Sequence, residues 1–298
     1  MSPTPKGELV LSKFVESQTL SKSSPSVKSP DIWTFKIKEG MKFSNGDPLT
    51  AKDVKFTYDF FLDQKALSDT GATSDLSDYL RNVEIDESTN TVVFHFKKII
   101  YTMDTAFSTS ILDSTLILAG AEKEKVTPQL WVKFHISTPI GNGPYKIVEY
   151  VESQFVKLAI NEHYQGNYAG DKPAIKNLIV QVVPDETRVT QLISGEVDGL
   201  AGLVKDTNID AVKMATTLTT NDYFRHGSGQ ITFHTDFGPV QLKEVRKAFA
   251  YEFNRVKFRN IFLGKYGISS EAPYSRNMWM MYDKDETLGT KSRLASKL

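Results

Sequence analysis

The sequence predicts an α/β protein in which mixed sheets are flanked by helices. Runs of alternating apolar and polar residues, typical of half-buried strands, recur along the chain. Other segments carry apolar residues three and four apart behind Thr, Asp or Asn caps, which is the pattern of amphipathic helices. With 298 residues, 40% hydrophobic and 24% charged, the chain has the composition of an ordinary globular protein of about two domains.

Charge and cysteine content exclude several classes of protein. The 36 basic and 36 acidic residues cancel, so no general field attracts nucleic acid or an anionic membrane. Without cysteine, the chain has no disulfide, thiolate zinc site or iron–sulfur cluster. No apolar run approaches the roughly 20 residues of a membrane-spanning helix. We therefore expect no nucleic-acid partner and no cofactor.

The N-terminal residues 1–31 are predicted to be irregular. Residues 1–28 contain neither an apolar signal segment nor a lipobox cysteine, so either the protein stays in the cytoplasm or an export segment is missing from this chain. Residues 17–30 are rich in Ser, Pro and Lys, which is a loop composition.

A strand, a turn and a helix are predicted across residues 32–63. Apolar residues alternate with polar ones over residues 33–37, as in a half-buried strand. Gly40 and the Asn-Gly pair at 45–46 mark turns. The sequence T-A-K-D at 50–53 reads as a capping box with Asp53 in the place of Glu. A helix is predicted to follow, and one of its faces carries four apolar residues: Val54, Tyr58, Phe61 and Leu62.

The next region gives fewer signals. Residues 64–90 are polar and are predicted to be irregular. Val92, Phe94 and Phe96 alternate with other residues as in a strand. Residues 101–120 mix Thr, Ser and Leu without a clear period, so both helix and strand stay open there.

Three strands are predicted after the turn G-N-G-P at residues 141–144. They span residues 145–150, 156–160 and 175–183. A helix then follows Pro184, with Asp185 as its N-cap, Gly195 as its stop, and a buried face of Val189, Leu192 and Ile193.

The last third of the chain is predicted to contain two more helices. The first opens at Pro239 and carries Leu242, Val245, Phe249 and Phe253. The second is capped by Asn254, carries Phe258, Ile261 and Phe262, and stops at Gly264. Further strands are expected at residues 197–203 and around Ile231 and Phe233.

No motif for catalysis or metal binding stands out. The five histidines are scattered without an i, i+4 pair, and there is no nucleophile elbow or Walker A sequence. His95 lies within a predicted strand and reads as a surface or satisfied core residue. An enzyme is therefore disfavoured, although metal-free catalysis by carboxylates leaves no such motif, and a hydrolase stays open as an alternative.

Several motifs in one order resemble the family 5 extracellular solute-binding proteins, which are the dipeptide, oligopeptide and nickel receptors of ATP-binding-cassette importers. The first is W-T-F-K-I-K-E-G-M-K-F-S-N-G-D-P-L-T-A-K-D-V-K-F-T-Y at 33–58. The others are G-N-G-P-Y-K-I-V-E-Y at 141–150 with N-E-H-Y at 161–164, P-D-E-T-R-V-T-Q-L-I-S-G-E-V-D at 184–198, and V-R-K-A-F-A-Y-E-F-N-R at 245–255. Most of these residues are turn, cap and packing residues, so they identify a fold and do not mark a ligand site.

The resemblance implies an incomplete, type II (class C) periplasmic-binding-protein-like fold of two lobes. Members usually have roughly 500 residues, so this chain is expected to be a fragment or a truncated relative. The irregular N-terminal segment 1–31 would precede a small subdomain of lobe one at 32–140. The lobe one core would span 141–227, and a truncated start of lobe two would span 228–298.

Four candidate ligand-binding residues follow from the resemblance. Tyr79 lies after the first helix, where family members often present an aromatic side chain to the cleft; the alternative is an ordinary rim or core tyrosine. Gln230 and Thr232 alternate along the expected crossing into lobe two, so they face one side, either the cleft or solvent. His234 stands where the family usually has Asn.

The implied function is capture of oligopeptides or dipeptides by lobe closure for import. Its partners would be a peptide or other small solute and the permease subunits in the membrane, and the protein would be a monomer. The parent protein would be extracellular or periplasmic and held as a lipoprotein. A nickel chelate, an oligosaccharide or an opine are alternative solutes, and a signalling or interaction module is a further alternative.

Overall fold

Three antiparallel sheets are found among the residues that the computed structural model describes, which are 2–3, 9–10, 15–24, 26, 29–100, 107, 109–135, 137, 139–167, 169–222 and 229–268. The smallest pairs β1 (Ser2–Pro3) with β2 (Leu9–Val10). A four-stranded sheet has the order β3-β4-β6-β5. Its strands are β3 (Val15–Ser21), β4 (Ile32–Ile37), β5 (Leu80–Asp86) and β6 (Thr91–Phe96).

The chain divides into two compact units, Met1–Val182 and Val183–Leu298. The first contains all three sheets, and the second contains helices. The lobe boundaries expected after residues 31, 140 and 227 stay predictions.

The main core lies between the four-stranded sheet and helix α1 (Ala51–Leu62). The alternation predicted for β4 and β6 is confirmed, since Phe35 lies opposite Val92 and both are buried. The Phe35 and Phe94 rings meet edge to face with centroids 5.6 Å apart. The strand period therefore identified the face of this sheet that is buried.

The capping box at the start of α1 is confirmed. Asp53 Oδ2 accepts from the Thr50 backbone N–H at 2.8 Å, while the Thr50 side chain accepts from Lys52 N. Of the predicted apolar face, Val54 and Tyr58 are buried, while Phe61 and Leu62 are only half-buried. The C-terminal end of α1 is therefore less buried than its apolar helical pattern predicted.

The turn at residues 40–48 joins the four-stranded sheet to the G-N-G-P segment. Ser44 N donates to the Gly141 carbonyl at 2.9 Å, and the Gln165 side chain donates to the Gly40 carbonyl at 3.4 Å. Gly46 adopts φ = 96°, which an L-residue rarely adopts. The tryptophan strand and the glycine–proline strand therefore belong to one compact unit, as the resemblance requires.

Two regions predicted as irregular contain regular structure. Residues 64–90 include the short helix α2 (Gln64–Ser68), a 3₁₀ turn (Leu76–Asp78) and strand β5. Within the Ser-rich region 17–30, Ser17–Ser21 lie in β3 and pair with β4. The polar composition of this segment predicted a loop, but the segment forms a strand. Only Val15 of β3 is buried, so hydrogen bonding to β4, rather than burial of apolar side chains, stabilises this edge strand.

The region left open at residues 101–120 contains the start of a helical hairpin; residues 101–106 and 108 lie outside the described residues. Helix α3 (Ser114–Glu124) is capped by the Asp113 side chain, which accepts from Leu116 N at 3.0 Å. Helix α4 (Pro128–Phe134) is capped by Thr127. Asp113 and Thr127 are ordinary N-cap residues, so a cap search would have located both helices.

The three strands predicted after residue 144 are confirmed. They are β7 (Tyr145–Val151), β8 (Phe155–Ile160) and β9 (Asn177–Gln181), in that spatial order. Every residue of β9 is exposed. The predicted strand 175–183 was too long at both ends, because only Asn177–Gln181 find hydrogen-bonding partners on β8.

The second unit contains four helices in its described part. They are α5 (Arg188–Ser194), α6 (Asp206–Met214), α7 (Lys243–Glu252) and α8 (Arg255–Leu263). The predicted stop of α5 at Gly195 is confirmed by its left-handed φ of 81°. The predicted cap of α8 is confirmed by the bond from Lys257 N to Asn254 Oδ1 at 2.8 Å.

Other predictions for the second unit were wrong. Asp185 does not cap α5, because the turn after Pro184 delays the helix and places Thr187 at the N-cap, while Asp185 pairs with Arg188 at 3.0 Å. Ile193 is exposed. Pro239 opens a 3₁₀ turn (Pro239–Gln241), and α7 starts only at Lys243. Residues 197–203 and 229–234 form no strand, since the described residues of this unit include no strand for them to pair with.

Candidate functional site

An open pocket of about 520 Å³ lies beside Tyr79 in the first unit. Its volume is within the ~300–1,000 Å³ range of small-molecule sites. The lining residues combine apolar and aromatic side chains with hydroxyls and one carboxylate: Phe61, Thr73, Ser74, Asp75, Leu76, Tyr79 and Thr109.

Local hydrogen bonds fix the wall of the pocket. Ser74 Oγ accepts from Leu76 N at 3.2 Å and so shapes the entry to the 3₁₀ turn. Tyr79 N donates to the Leu76 carbonyl at 3.3 Å, and the Tyr79 carbonyl accepts from Lys97 N at 2.8 Å. Asp75 stands at the N-cap of the turn, but its side chain makes no capping bond. Its carboxylate is therefore not committed to the turn.

One lining residue of the pocket contacts buried Tyr58. Thr109, which lines the pocket, hydrogen-bonds the Tyr58 hydroxyl. Burial raises the pKa of Tyr58 well above its usual value, and the bond from Thr109 only partly opposes this. Tyr58 is therefore a neutral support of the pocket at physiological pH.

Tyr79 itself is 9% exposed and packs into the main core. Its pKa is raised, first by burial and then by the negative charges of Asp75 and Asp78. Its side chain also lines the pocket. Tyr79 is therefore a core residue that also lines a pocket, and its role as a ligand contact stays a prediction.

The other three candidates lie in the second unit. Gln230, Thr232 and His234 are exposed, on a segment that is neither helix nor strand. Phe233, between Thr232 and His234, packs against Phe249 with ring centroids 5.3 Å apart. The His234 ring lies 4.8 Å from that of Phe237. Their predicted roles in binding stay predictions, and Tyr79 belongs to the other unit.

A polar network around the turn at 45–48 was not predicted from the sequence. Asn45 Nδ2 donates to Asp47 Oδ2 at 2.7 Å and to Asp113 Oδ2 at 2.8 Å. Ser114 Oγ donates to Asp53 Oδ1 at 2.6 Å. Burial raises the pKa of Asp113, and the nearby charge of Asp47 adds to this effect. These contacts tie the start of α3 to the turn and to α1, so the conspicuous motif residues here serve the scaffold.

Within the described ranges, no group of three or more His, Asp or Glu side chains is arranged to hold a metal ion. In the same part of the chain, none of the helices has the length and apolar character needed to cross a membrane.

Solved structures define the class of fold. The periplasmic binding protein DppA from Helicobacter pylori, in complex with the peptide STSA, matches with a TM-score of 0.69 and 17% identity over 92% of this chain and 54% of that chain. NikA from Brucella suis, in complex with Fe(III)-EDTA, matches with a TM-score of 0.68 and 21% identity over 89% and 50%. The chain therefore has the α/β fold of type II periplasmic binding proteins.

The sequence comparison then gives the family. The model of the bacterial extracellular solute-binding proteins, family 5 Middle, matches residues 20–294, so the chain belongs to this solute-binding family. The oligopeptide-binding protein AppA from Bacillus subtilis is 32% identical over 169 residues, which are 56% of this chain and 29% of AppA. The chain thus spans less than a third of AppA and about half of the two structures.

Proposed function

We propose that this protein is the substrate-binding component of an ABC importer and captures oligopeptides or dipeptides. The observation that carries the proposal is the match to the solute-binding family over residues 20–294. The relative AppA, which is named an oligopeptide-binding protein, supports a peptide as the solute. The peptide STSA in the H. pylori DppA structure illustrates the same use of the fold.

Binding would be coupled to closure of the two lobes of the whole protein. A solute that contacts both lobes stabilises the closed state selectively, and the closed state then docks on the permease. The peptide backbone would supply most hydrogen bonds, much as in strand addition, which suits broad specificity. We place the protein outside the cytoplasm as a monomer; its anchoring by a lipid follows only from the resemblance.

The role that we propose is binding without catalysis. A hydrolase needs a nucleophile paired with a base, and the described residues that line the Tyr79 pocket include no histidine and only one carboxylate. The hydroxyl of Ser74 accepts a bond from Leu76 N as part of a turn. This arrangement supports a binding role.

Calorimetry with peptides and with two metal chelates tests the proposal. The 298-residue chain is titrated with a pool of two- to five-residue peptides, with nickel–histidine and with Fe(III)-EDTA. We expect heat with the peptide pool alone. Heat only with a chelate would replace peptides by the alternative solute class, and no heat with any of the three would overturn the proposal.

A double variant tests the predicted contacts of the second unit. Gln230→Ala with Thr232→Ala removes two exposed hydrogen-bonding side chains, so peptide affinity should fall by roughly three- to tenfold. Thr219→Ala, which is exposed in the same unit, serves as the matched control. Equal affinities of the two variants would remove Gln230 and Thr232 from the site.

A further inference from the structure

We propose that Asn142 is a site of spontaneous deamidation, at which water converts the side-chain amide to aspartate or isoaspartate, while Asn45 is protected from the same reaction. The sequence contains two Asn-Gly pairs, at 45–46 and at 142–143. Such a pair is prone to deamidate, because glycine has no side chain to hinder attack by its own backbone nitrogen. The two pairs have different hydrogen-bonding surroundings, and this difference selects Asn142.

The reaction begins at the backbone nitrogen of Gly143. After hydroxide removes its proton, this nitrogen attacks the side-chain carbonyl carbon of Asn142. A C–N bond forms, and the side-chain nitrogen takes up protons from water and leaves as ammonia. One water molecule then opens the cyclic imide. Opening at the side-chain carbonyl gives aspartate, and opening at the main-chain carbonyl gives isoaspartate.

The reacting groups of Asn142 and Gly143 are free to move. The turn is held through its carbonyl oxygens, since that of Gly141 accepts from Ser44 N at 2.9 Å. The Gly143 carbonyl accepts from Asn161 Nδ2, also at 2.9 Å. The Asn142 side chain and the Gly143 N–H have no hydrogen-bond partner among the described residues. A Cβ at Gly143 would meet no atom within 4 Å, so the space beside this nitrogen is open.

The reacting groups of Asn45 and Gly46 are held in place. Asn45 Nδ2 donates to Asp47 Oδ2 at 2.7 Å and to Asp113 Oδ2 at 2.8 Å. Asn45 Oδ1 accepts from Asp47 N at 3.0 Å. Gly46 N donates to the Phe43 carbonyl at 3.0 Å. Attack at Asn45 must therefore break several hydrogen bonds, two of which run to carboxylates.

Solvent exposure alone predicts the opposite order of reaction. Asn45 is exposed, whereas Asn142 is half-buried. We expect hydrogen bonding to decide, because both side chains reach water but only that of Asn142 is unbonded. In the folded chain, Asn45 should deamidate at least about tenfold more slowly than Asn142.

Isoaspartate at position 142 would lengthen the backbone of the turn. Its main chain runs through the side-chain carbons, which adds one bond of about 1.5 Å. This bond lies between two anchored carbonyls, because Gly141 is bonded to Ser44 and Gly143 to Asn161. The longer chain cannot keep both bonds in their present geometry. Formation of isoaspartate should therefore loosen the contact between the turn at 40–48 and β7.

Peptide mapping by mass spectrometry tests the order of reaction. The 298-residue chain is incubated at mildly alkaline pH, either folded in buffer or unfolded in guanidinium chloride, and is then cleaved with trypsin at mildly acidic pH. The two asparagines fall into separate tryptic peptides, 43–52 and 134–146, and neither peptide contains another asparagine. The ratio of Asn142 to Asn45 deamidation should be at least about tenfold higher in the folded chain, because unfolding releases both side chains.

Two glycine variants locate the chemistry. Gly143→Ala places a methyl group beside the attacking nitrogen and should slow deamidation of Asn142 about tenfold. Gly141→Ala is the matched control, since a Cβ there also meets no atom within 4 Å but its nitrogen takes no part in the reaction. Its rate should equal that of the unmodified chain. Far-ultraviolet circular dichroism verifies that each variant is folded.

Asn142→Asp separates the added charge from the added backbone bond. The isoaspartyl form, purified after incubation, should unfold at a lower urea concentration than Asn142→Asp. Equal midpoints would overturn the loosening of the turn.

Two results would overturn the site itself. Deamidation of Asn45 as fast as that of Asn142 in the folded chain would mean that exposure controls the reaction. Loss of reaction at Asn142 on folding would mean that the turn protects it. Peptide capture does not depend on either result.

Discussion

The core phenylalanines of the first unit and the helix phenylalanines of the second unit have the same side chain in opposite surroundings. Phe43 and Phe94 of the first unit are 0% and 2% exposed. Phe249, Phe258 and Phe262 of the second unit are 42%, 44% and 59% exposed, although their rings contact one another or Phe253. Helices α7 and α8 contain no buried residue. A helical period thus identifies an apolar face, but whether that face is covered depends on what packs against it.

Truncating one phenylalanine in each unit should sharpen this comparison most. Phe43→Ala removes a fully buried ring and should lower the free energy of unfolding by about 3–5 kcal/mol. Phe258→Ala should cost less than about 1 kcal/mol, because its ring is already half in water. Urea unfolding followed by far-ultraviolet circular dichroism, which reports on both units, measures each change. Equal losses would show that the aromatic face of the second unit is covered in solution.

A glycine substitution tests how tightly the helical hairpin of the first unit is packed. A Cβ at Gly120 on α3 would overlap the Trp131 indole on α4, so Gly120→Ala should cost about 1–3 kcal/mol. The Trp131 ring stacks on His135 with centroids 4.2 Å apart, which limits its freedom to move away. Thermal and urea unfolding measure the loss.

Gly141→Ala is the matched control, since a Cβ at Gly141 meets no atom within 4 Å and its φ is not in the left-handed region. We expect a change within about 0.5 kcal/mol. A loss at Gly120 no larger than that at Gly141 would mean that the hairpin relaxes around the added methyl group.

Elements specified by neighbouring residues were predictable from the sequence. The capping box of Thr50 and Asp53, the alternation around Phe94 and the Asn254 cap all depend on residues within a few positions of one another. Such local patterns can be recognised in the sequence without knowledge of the tertiary fold. They were sufficient to locate four of the eight α-helices of the described residues, the two central strands of the four-stranded sheet and all three strands of the β7-β8-β9 sheet.

Features specified by distant partners were not predictable. Ser17–Ser21 form a strand because β4 lies beside them and pairs with them. Residues 229–234, where a strand was expected, have no neighbouring strand among the described residues and form none. The sequence singled out Tyr79, but the pocket beside it is made by residues 73–79 of a region predicted to be irregular. Phe61 and Thr109, which also line the pocket, come from other parts of the chain.

The pKa values of two aspartates, one in each unit, are shifted in opposite directions. Asp113 is 2% exposed, and burial raises its pKa above the ordinary 3.8. In the second unit, hydrogen bonds from Lys265 and Tyr266 lower the pKa of exposed Asp210 below 3.8. The stabilising contribution of Asp113 is therefore complete at low pH and is lost as pH rises through its folded pKa. That of Asp210 is present above pH 3.8 and is lost as pH falls through its folded pKa.

Carbon-13 NMR of the aspartate carboxyl groups between pH 2 and 7 measures both titrations. We expect the midpoint of Asp113 above 3.8 and that of Asp210 below it. Lys265→Met should return the Asp210 midpoint towards 3.8, because the Lys265 ammonium group lies 2.8 Å from the Asp210 carboxylate. The midpoint of Asp113 should not change, because Asp113 belongs to the first unit while Lys265 and Asp210 both belong to the second. A midpoint of Asp113 at or below 3.8 would show that its burial at the turn around Asp47 is relieved by water, and that this part of the first unit is as open as the second.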